Sequence, residues 1–227
     1  KIILTKDSSI DATQNAINVN LVQSSRNSHN KNLSIDSINI QEGAKVSGGQ
    51  AGIKIGQSQE VKNSNGTGKD NTVGQIIVAG EVKGGSEGGI VNEGTIKADA
   101  NGKSRSRRSL DESQQSDEES KAAILIKESG QITDFTNTGL IAGTTNKRIF
   151  GSQNVSSIQI GKDQESLQRS STTTTIKNFK NQGLIGNSNQ DANAIGFDSA
   201  NLTTFINTQL ILSQGKAIHL ESTHITN

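Results

Sequence analysis

The histidines are the first residues to test for chemistry, because the imidazole ring is both a common metal ligand and a general base near neutral pH. The chain has three of them, His29, His219 and His224. His219 and His224 are five residues apart, with Glu221 between them. On one strand an odd spacing directs two side chains to opposite faces of the sheet. The spacing therefore predicts surface histidines that flank strands, without a shared metal site.

Serine and aspartate would support hydrolysis only if the fold brought the right partners to them. Ser199, within GFDSAN at 196–201, is the nearest candidate nucleophile, but it lacks flanking glycines and a histidine partner. Asp134 and Asp198 are isolated carboxylates, whereas glycoside cleavage uses a pair on one face. The chain also has no Trp or Tyr to stack on a sugar ring. These patterns predict a protein without enzymatic activity.

Metal and cofactor sites need ligands in patterns that this sequence does not contain. The absence of Cys excludes thiolate zinc sites and disulfides. The segments GKDNTVG at 68–74 and GGSEGG at 84–89 each hold one carboxylate, which is too few for a calcium site. The full phosphate-loop pattern Gly-x-x-x-x-Gly-Lys-Ser/Thr is also absent from the sequence. We therefore expect no metal and no cofactor.

The segment at 101–121 is strongly charged and contains a single apolar residue. One interpretation is a proteolytic processing site at Arg105, Arg107 and Arg108, since proteases cut chain that is exposed and locally unfolded. The other interpretation is a solvated loop whose basic first half and acidic second half attract each other. Both interpretations place this segment outside the strands.

Composition limits both the kind of partner and the kind of core. Hydrophobic residues make up 30% of the 227-residue chain, and the formal net charge is +1. A near-neutral chain whose only aromatics are five Phe lacks the basic surface and the stacking side chains of nucleic-acid-binding proteins. So polar a chain favours an elongated repeat fold, in which each unit buries a narrow apolar stripe against its neighbours.

A short phrase that combines Asn, Gly and Ile at fixed offsets recurs along the chain, which indicates internal repeats. Its four copies are NEGTI at 92–96, NTGLI at 137–141, NQGLI at 181–185 and NTQLI at 207–211. A second phrase, a small residue followed by alternating apolar residues, falls between these copies, as in AAILIK at 122–127. From Ile195 to Ile218, two copies of this second phrase are 23 residues apart. We interpret this spacing as the bare repeat and the longer spacings as the repeat plus insertions.

Short alternating phrases of β-branched residues predict strands of about 4–6 residues. A repeat of this length predicts an all-β fold, a right-handed parallel β-helix with loop insertions. We expect a single domain over 1–227, because strand phrases resume on both sides of each insertion. The insertions are expected as excursion loops near 57–72, 101–121 and 162–175.

Identical residues of successive repeats are then expected to stack in columns one strand spacing apart, about 4.8 Å. The predicted inward columns are Phe135, Phe179 and Phe205, and Leu140, Leu184 and Leu210 or their Ile neighbours. A ladder of side-chain amides is predicted at a bend between strands, formed by Asn92, Asn137, Asn181 and Asn207. The glycine two residues after the asparagine is expected to supply conformational freedom at the corner.

These repeated phrases, a composition rich in Gly, Asn, Thr and Ser, and the absence of Cys resemble autotransporter (type V secretion) passenger domains of Gram-negative bacteria, of the adhesin or vacuolating-toxin-like kind. The resemblance covers roughly residues 33–227. It implies display on the bacterial cell surface or secretion, and therefore an extracellular location. It also implies attachment to the outer membrane through a barrel that this sequence does not include.

Three functional interpretations remain open at this point. The first is a non-enzymatic passenger for adhesion or self-association, whose partner is itself or a host-surface ligand. The second is a subunit of a secreted vacuolating-cytotoxin-like toxin. The third is a carbohydrate-active β-helix enzyme, which would need clustered carboxylates in a groove.

Overall fold

The computed structural model describes residues 1–20, 34–56, 71–98, 122–127, 129–143, 156–161, 173–187 and 192–226. Within these ranges every regular element is a β-strand, so the all-β prediction is confirmed. In chain order the strands are β1 Ile2–Leu4, β2 Ser9–Ala12, β3 Ile17–Val19, β4 Ser34–Ile40, β5 Lys45–Gly48, β6 Ala51–Ile55, β7 Thr72–Val78, β8 Glu81–Gly84, β9 Gly88–Asn92, β10 Thr95–Lys97, β11 Ile124–Ile126, β12 Gln131–Asn137, β13 Leu140–Ala142, β14 Ile158–Gly161, β15 Thr174–Asn181, β16 Leu184–Asn187, β17 Ile195–Asp198, β18 Ala200–Asn207, β19 Ile211–Ser213, β20 Ile218–Glu221 and β21 His224–Ile225.

The described strands form two curled sheets in which every pairing is parallel. The first sheet has 11 strands, β1, β4, β7, β10, β11, β13, β14, β16, β17, β19 and β20. The second has 10, β2, β3, β5, β6, β8, β9, β12, β15, β18 and β21. Parallel pairing excludes hairpins, so each strand is joined to its partner only after the chain has passed through the other sheet.

Three strands make up each passage through both sheets, and we call each passage a level. The described residues form seven levels, β1–β3, β4–β6, β7–β9, β10–β12, β13–β15, β16–β18 and β19–β21. In levels two and three the first sheet contributes one continuous strand and the second sheet two short ones. From level four onward this division is reversed, because β12, β15 and β18 are continuous in the second sheet.

Strand β7 is where the division changes. Its first residues, Thr72 and Val73, pair with β10, whereas Ile76, Ile77 and Val78 pair with β11. One strand of level three therefore supports two strands of level four. The charged segment at 101–121 lies between these two strands in the sequence, where the first sheet has an interruption.

The core consists of columns of like residues, because the parallel register aligns equivalent positions of successive levels. One column is isoleucine in all seven levels, namely Ile2, Ile38, Ile76, Ile124, Ile158, Ile195 and Ile218. Its five middle members are fully buried. The pairing of Ile195 with Ile218 confirms that the shortest passage is 23 residues long. A thin stripe of this kind lets a polar chain build a dry interior.

The predicted excursion loops lie mostly outside the described residues. At their ends, Thr72 is the first residue of β7, and Thr174 and Thr175 belong to β15. Those end residues are therefore parts of strands, and the rest of the three predicted loops stays a prediction.

Candidate functional surface

The asparagines of the repeated phrase occupy one inward position at the end of successive second-sheet strands. Asn92 Nδ2 donates to Asn137 Oδ1 at 2.8 Å, Asn137 Nδ2 to Asn181 Oδ1 at 2.7 Å, and Asn181 Nδ2 to Asn207 Oδ1 at 2.7 Å. The first three side chains are fully buried, whereas Asn207 is exposed. Each buried amide is thereby held by the amide of the next level, which compensates for its removal from water.

The amides also hold the corner that follows them. Asn181 Nδ2 donates to the carbonyl oxygen of Gly183 at 3.1 Å, and Asn207 Nδ2 donates to that of Gln209 at 2.7 Å. Asn92 Nδ2 reaches the carbonyl oxygen of Leu140 at 3.3 Å. Side-chain bonds to a nearby backbone are the usual role of Asn in turns, and here the same amide also connects levels.

In the first two levels, aliphatic residues occupy the position that asparagine occupies in the later levels. Val19 pairs with Ile55, and Ile55 pairs with Asn92. We call this set, Val19, Ile55, Asn92, Asn137, Asn181 and Asn207, the corner column. At the change of type, Asn92 Oδ1 faces the level of Ile55 and has no hydrogen-bond partner although it is buried. The repeated phrase did not predict this orphan oxygen, because Val19 and Ile55 do not belong to any copy of it.

The glycines of the phrase are required by close packing, which corrects the predicted reason. A Cβ atom at Gly139 would lie well under 3.0 Å from the carbonyl oxygen of Gly94, and one at Gly183 would be equally close to that of Gly139. None of these three glycines has positive φ; among the described glycines that conformation occurs at Gly43, Gly88 and Gly161. Glycine is therefore needed at this corner because there is no room for a side chain, and not because the backbone is left-handed.

The copy without glycine shows the consequence. Strands β13 and β16 begin at the residue after the glycine, Leu140 and Leu184, whereas β19 begins one residue later, at Ile211. Gln209 occupies the glycine position of that copy. The register is nevertheless kept, because Ile185 N donates to the carbonyl oxygen of Leu210 at 3.1 Å and Ile185 pairs with Ile211.

The phenylalanines of the phrase form a stacked aromatic column. Phe135 and Phe179 have ring centroids 4.7 Å apart, and Phe179 and Phe205 are 5.2 Å apart, with nearly parallel rings in both pairs. Phe197, from the first sheet, packs edge-on against Phe179 and Phe205 at 6.1 Å. Sequence reasoning missed this fourth ring, because it lies outside the repeated phrase. Phe150 lies outside the described residues.

Of the two predicted alternatives for the inward aliphatic column, the leucines or their isoleucine neighbours, the structure has the isoleucines. Ile141 and Ile185 are fully buried and pair in register, and Ile185 pairs with the partly buried Ile211. The leucines that precede them, Leu184 and Leu210, are exposed. Alternation along a strand directs neighbouring side chains to opposite faces, so only one residue of each Leu-Ile pair can enter the core.

The outer face of β12, β15 and β18 carries polar columns that follow the same register. Gln131, Thr175, Asn201 and His224 are aligned in one of them. A second column aligns Asp134, Asn178 and Thr204, and Asn178 Nδ2 donates to Asp134 Oδ1. This face therefore presents amide, hydroxyl and carboxylate groups at the strand spacing of about 4.8 Å.

A charged cluster lies on the outer face of the earlier levels. Lys54 Nζ donates to Glu87 Oε2 at 2.5 Å and lies 3.6 Å from Glu93 Oε1. The hydrogen bond that Lys54 donates to Glu87 is the main cause that raises the pKa of Lys54; burial opposes this rise, and the nearby charges of Glu93 and Glu87 add to it. Because Lys54 lies in β6 and the glutamates flank β9, the cluster connects levels two and three.

The two histidines and the two aspartates weighed from the sequence as site candidates lie in different sheets. His219 pairs with Gly196 in the first sheet, and His224 pairs with Asn201 in the second. Asp134 and Asp198 also lie in different sheets. Ser199 has φ 53° at a corner, and its hydroxyl donates to Asp198 Oδ1 at 2.9 Å.

The described ranges contain neither a metal-ligand cluster nor a helix that could span a membrane. No group of three or more His, Cys, Asp or Glu residues there could hold a metal ion. No helix in that part of the chain is long and apolar enough to cross a membrane. His29 and the candidate processing residues Arg105, Arg107 and Arg108 lie outside the described residues.

Comparison of the chain with protein-family models, with curated proteins and with solved structures found no match.

Proposed function

We propose that the chain is a right-handed parallel β-solenoid and acts as a non-enzymatic passenger domain on the bacterial cell surface or in secreted form. In this proposal it mediates adhesion or self-association, and its partner is a host-surface ligand or another copy of itself. The observation that supports this role is the outer face of β12, β15 and β18, where polar side chains repeat in register over a closely packed interior.

A regular polar face binds through many weak contacts. Each hydroxyl or amide contributes little alone, because it exchanges one hydrogen bond with water for another. Repetition at a fixed spacing lets several contacts form together once the first is made, which raises the overall affinity. The buried amide ladder and the aromatic column keep these side chains from moving relative to one another.

The test adds charge to this face without touching the core. Gln131, Thr175 and Asn201 are exposed and belong to one outer column. We expect the triple variant Gln131→Lys, Thr175→Lys, Asn201→Lys to lose binding of the chain to host-cell surfaces and to lose aggregation of cells that display it. A control variant carries three lysines at exposed positions of the first two levels, Thr13, Gln41 and Gln50. Equal loss in both variants would contradict the proposal, because it would reflect net charge alone.

A second candidate function is that of a toxin subunit that acts on membranes. Exposed aliphatic side chains support it. Leu184, Ile206, Leu210 and Leu212 are exposed on levels six and seven, on the outside of the sheets. Such side chains would insert into a lipid surface. Release of a trapped dye from lipid vesicles, abolished by Leu210→Gln and Leu212→Gln, would favour this function over adhesion.

A further inference from the structure

A recognition pattern for asparagine glycosylation lies on the outer face of the second sheet. Strand β18 contains Asn201, Leu202 and Thr203, which match the pattern Asn-x-Ser/Thr that N-glycosyltransferases read. Within the described ranges, Asn201 is the one asparagine that is followed two residues later by Ser or Thr. Further copies of the pattern begin outside those ranges, at Asn32, Asn65 and Asn154.

Strand β18 places both polar groups of this pattern in solvent. Asn201 and Thr203 are exposed, whereas Leu202 between them is 1% exposed and belongs to the core. Because side chains alternate between the two faces of a strand, the amide and the hydroxyl project from the same outer face. A transferase that approaches this face therefore meets both groups without displacing a core residue.

The amide of Asn201 is also free, unlike the amides of the corner column. In the part of the chain that the structure describes, neither Asn201 nor Thr203 has a side-chain hydrogen bond to another residue. Asn92, Asn137 and Asn181 are buried, and each donates to the asparagine of the next level. A sugar on Asn201 Nδ2 replaces a hydrogen that bonds only to water, so the folded stack can carry it without losing an internal bond.

We propose that Asn201 is an N-glycosylation site, modified by a transferase whose donor is a sugar diphosphate, carried by a nucleoside or by a lipid. Asn201 Nδ2 forms a bond to C1 of the sugar while the bond from C1 to the diphosphate oxygen breaks. The diphosphate leaves with that electron pair, and one proton of Nδ2 passes to a base of the transferase. Thr203 is the residue that the enzyme recognises, and it is not itself modified.

The sugar would change the face on which it lies. Asn201 pairs with Thr175 and His224 in one outer column, so a substituent there covers part of the proposed binding face. Modification is therefore expected to lower binding to host-cell surfaces. This consequence rests on the proposed function, whereas the modification itself does not.

The test incubates the full folded chain in two separate reactions. One contains a soluble N-glycosyltransferase with UDP-glucose, and the other a membrane-bound oligosaccharyltransferase with an oligosaccharide linked to a lipid diphosphate. Peptide mapping by mass spectrometry measures the occupancy of each asparagine. We expect Asn201 to gain the mass of one hexose in the first reaction or of the oligosaccharide in the second, and the productive reaction identifies the donor.

Matched variants test how the site is recognised. Thr203→Ala and Asn201→Gln are expected to abolish the modification at this position, whereas Thr203→Ser retains it because it keeps the hydroxyl. Asn18 is an internal control, since it is exposed in β3 but is followed two residues later by Asn20. It is expected to stay unmodified.

Three results would overturn the inference. They are an Asn201 that stays unmodified in both reactions, a modification that persists in Thr203→Ala, and a treated wild type whose Tm lies below that of equally treated Asn201→Gln. The two proposals also fail separately. An unmodified Asn201, together with loss of surface binding in the triple lysine variant of the outer column, would remove this inference and leave the proposed function standing.

Discussion

The corner column has two regions, which fill the same inward position with different kinds of side chain. In levels one and two it consists of Val19 and Ile55, and from level three it consists of asparagines. Both regions are buried at their centre. The aliphatic region needs only to be covered by neighbouring carbon. The amide region also needs a hydrogen-bond partner for each polar atom, so its stability depends on an unbroken series of neighbours.

The neighbouring inward column changes type one level later. Ile17, Ile53 and Ile90 are followed by Phe135, Phe179 and Phe205. The later levels therefore combine stacked rings with the amide ladder, and the earlier levels are aliphatic in both columns. Local defects are expected to cost more in the later levels, because rings and amides both act through specific partners above and below.

The largest effect is expected from removing the central ring. Phe179→Ala should lower the free energy of unfolding by about 3–5 kcal/mol, because Phe179 contacts rings on both sides and leaves a cavity between them. Ile53→Ala, at the equivalent position of the aliphatic region, is the matched control and should cost less, about 2–4 kcal/mol. Urea unfolding of both variants measures the difference. An equal or larger loss at Ile53 would show that the two regions do not differ in this way.

Breaking the ladder in its middle is the next largest expected effect. Asn137→Val removes the acceptor of Asn92 and the donor of Asn181. Asn92 Nδ2 keeps its longer bond to the carbonyl oxygen of Leu140, and Asn181 Oδ1 keeps the one from Gly183 N, both at 3.3 Å. Each group therefore loses its shorter hydrogen bond, and we expect a loss of about 1–3 kcal/mol in the free energy of unfolding. The same urea series measures it. A change below about 1 kcal/mol would mean that the ladder contributes no more than its hydrocarbon equivalent.

The same substitution at the boundary sharpens the comparison. Asn92→Val extends the aliphatic region by one level and removes the orphan oxygen of Asn92. It leaves Asn137 Oδ1 without its donor, so one unpaired oxygen replaces another. We therefore expect a change of about 1 kcal/mol or less. Thermal unfolding of the Asn92→Val and Asn137→Val variants side by side measures the two losses of stability. Losses of equal size would contradict the expectation that a substitution in the middle of the ladder costs more than one at its boundary.

The smallest effect is expected from the charged cluster of the aliphatic levels. Lys54→Met keeps most of the side-chain length but removes its bonds to Glu87 and Glu93, and should cost about 0.5–1 kcal/mol. Because the pKa of Lys54 is raised in the folded state, the stabilisation is present below about pH 10.5 and is lost as the pH rises through the folded-state pKa. The difference in Tm between wild type and Lys54→Met should therefore shrink as the pH rises through the raised folded-state pKa of Lys54. A difference that stays constant there would exclude the ion pairs as its cause.

Much of the strand content could be predicted from local pattern. The phrase SIDSINI at 34–40 coincides with β4, and the offsets between the copies of the repeated phrase match the register in which Phe135, Phe179 and Phe205 pair. These features follow from the alternation of apolar and polar residues and from the repetition of the phrase, and both patterns can be recognised in the sequence alone. The isoleucine column escaped notice in its first levels, because Ile2 and Ile38 lie in passages whose length and phrase differ from the later ones.

Features that depend on contacts between levels could not be predicted. The phrase did not show which residue of each Leu-Ile pair enters the core. It also did not show that Gly139 and Gly183 are selected by the approach of a carbonyl oxygen, or that Phe197 from the other sheet closes the aromatic column. Each of these depends on distances between segments that are far apart in the sequence.

What the sequence determined by itself is the β-strand character of the chain and the repeated identity of its inward residues. A period of two and a recurring phrase impose both wherever the segment lies. Only the tertiary structure decided where the corner column changes from hydrocarbon to amide and which oxygen stays unpaired. The physical reason is that hydrogen-bond satisfaction and burial are properties of neighbours in space, and the register that supplies those neighbours exists only once the levels have packed.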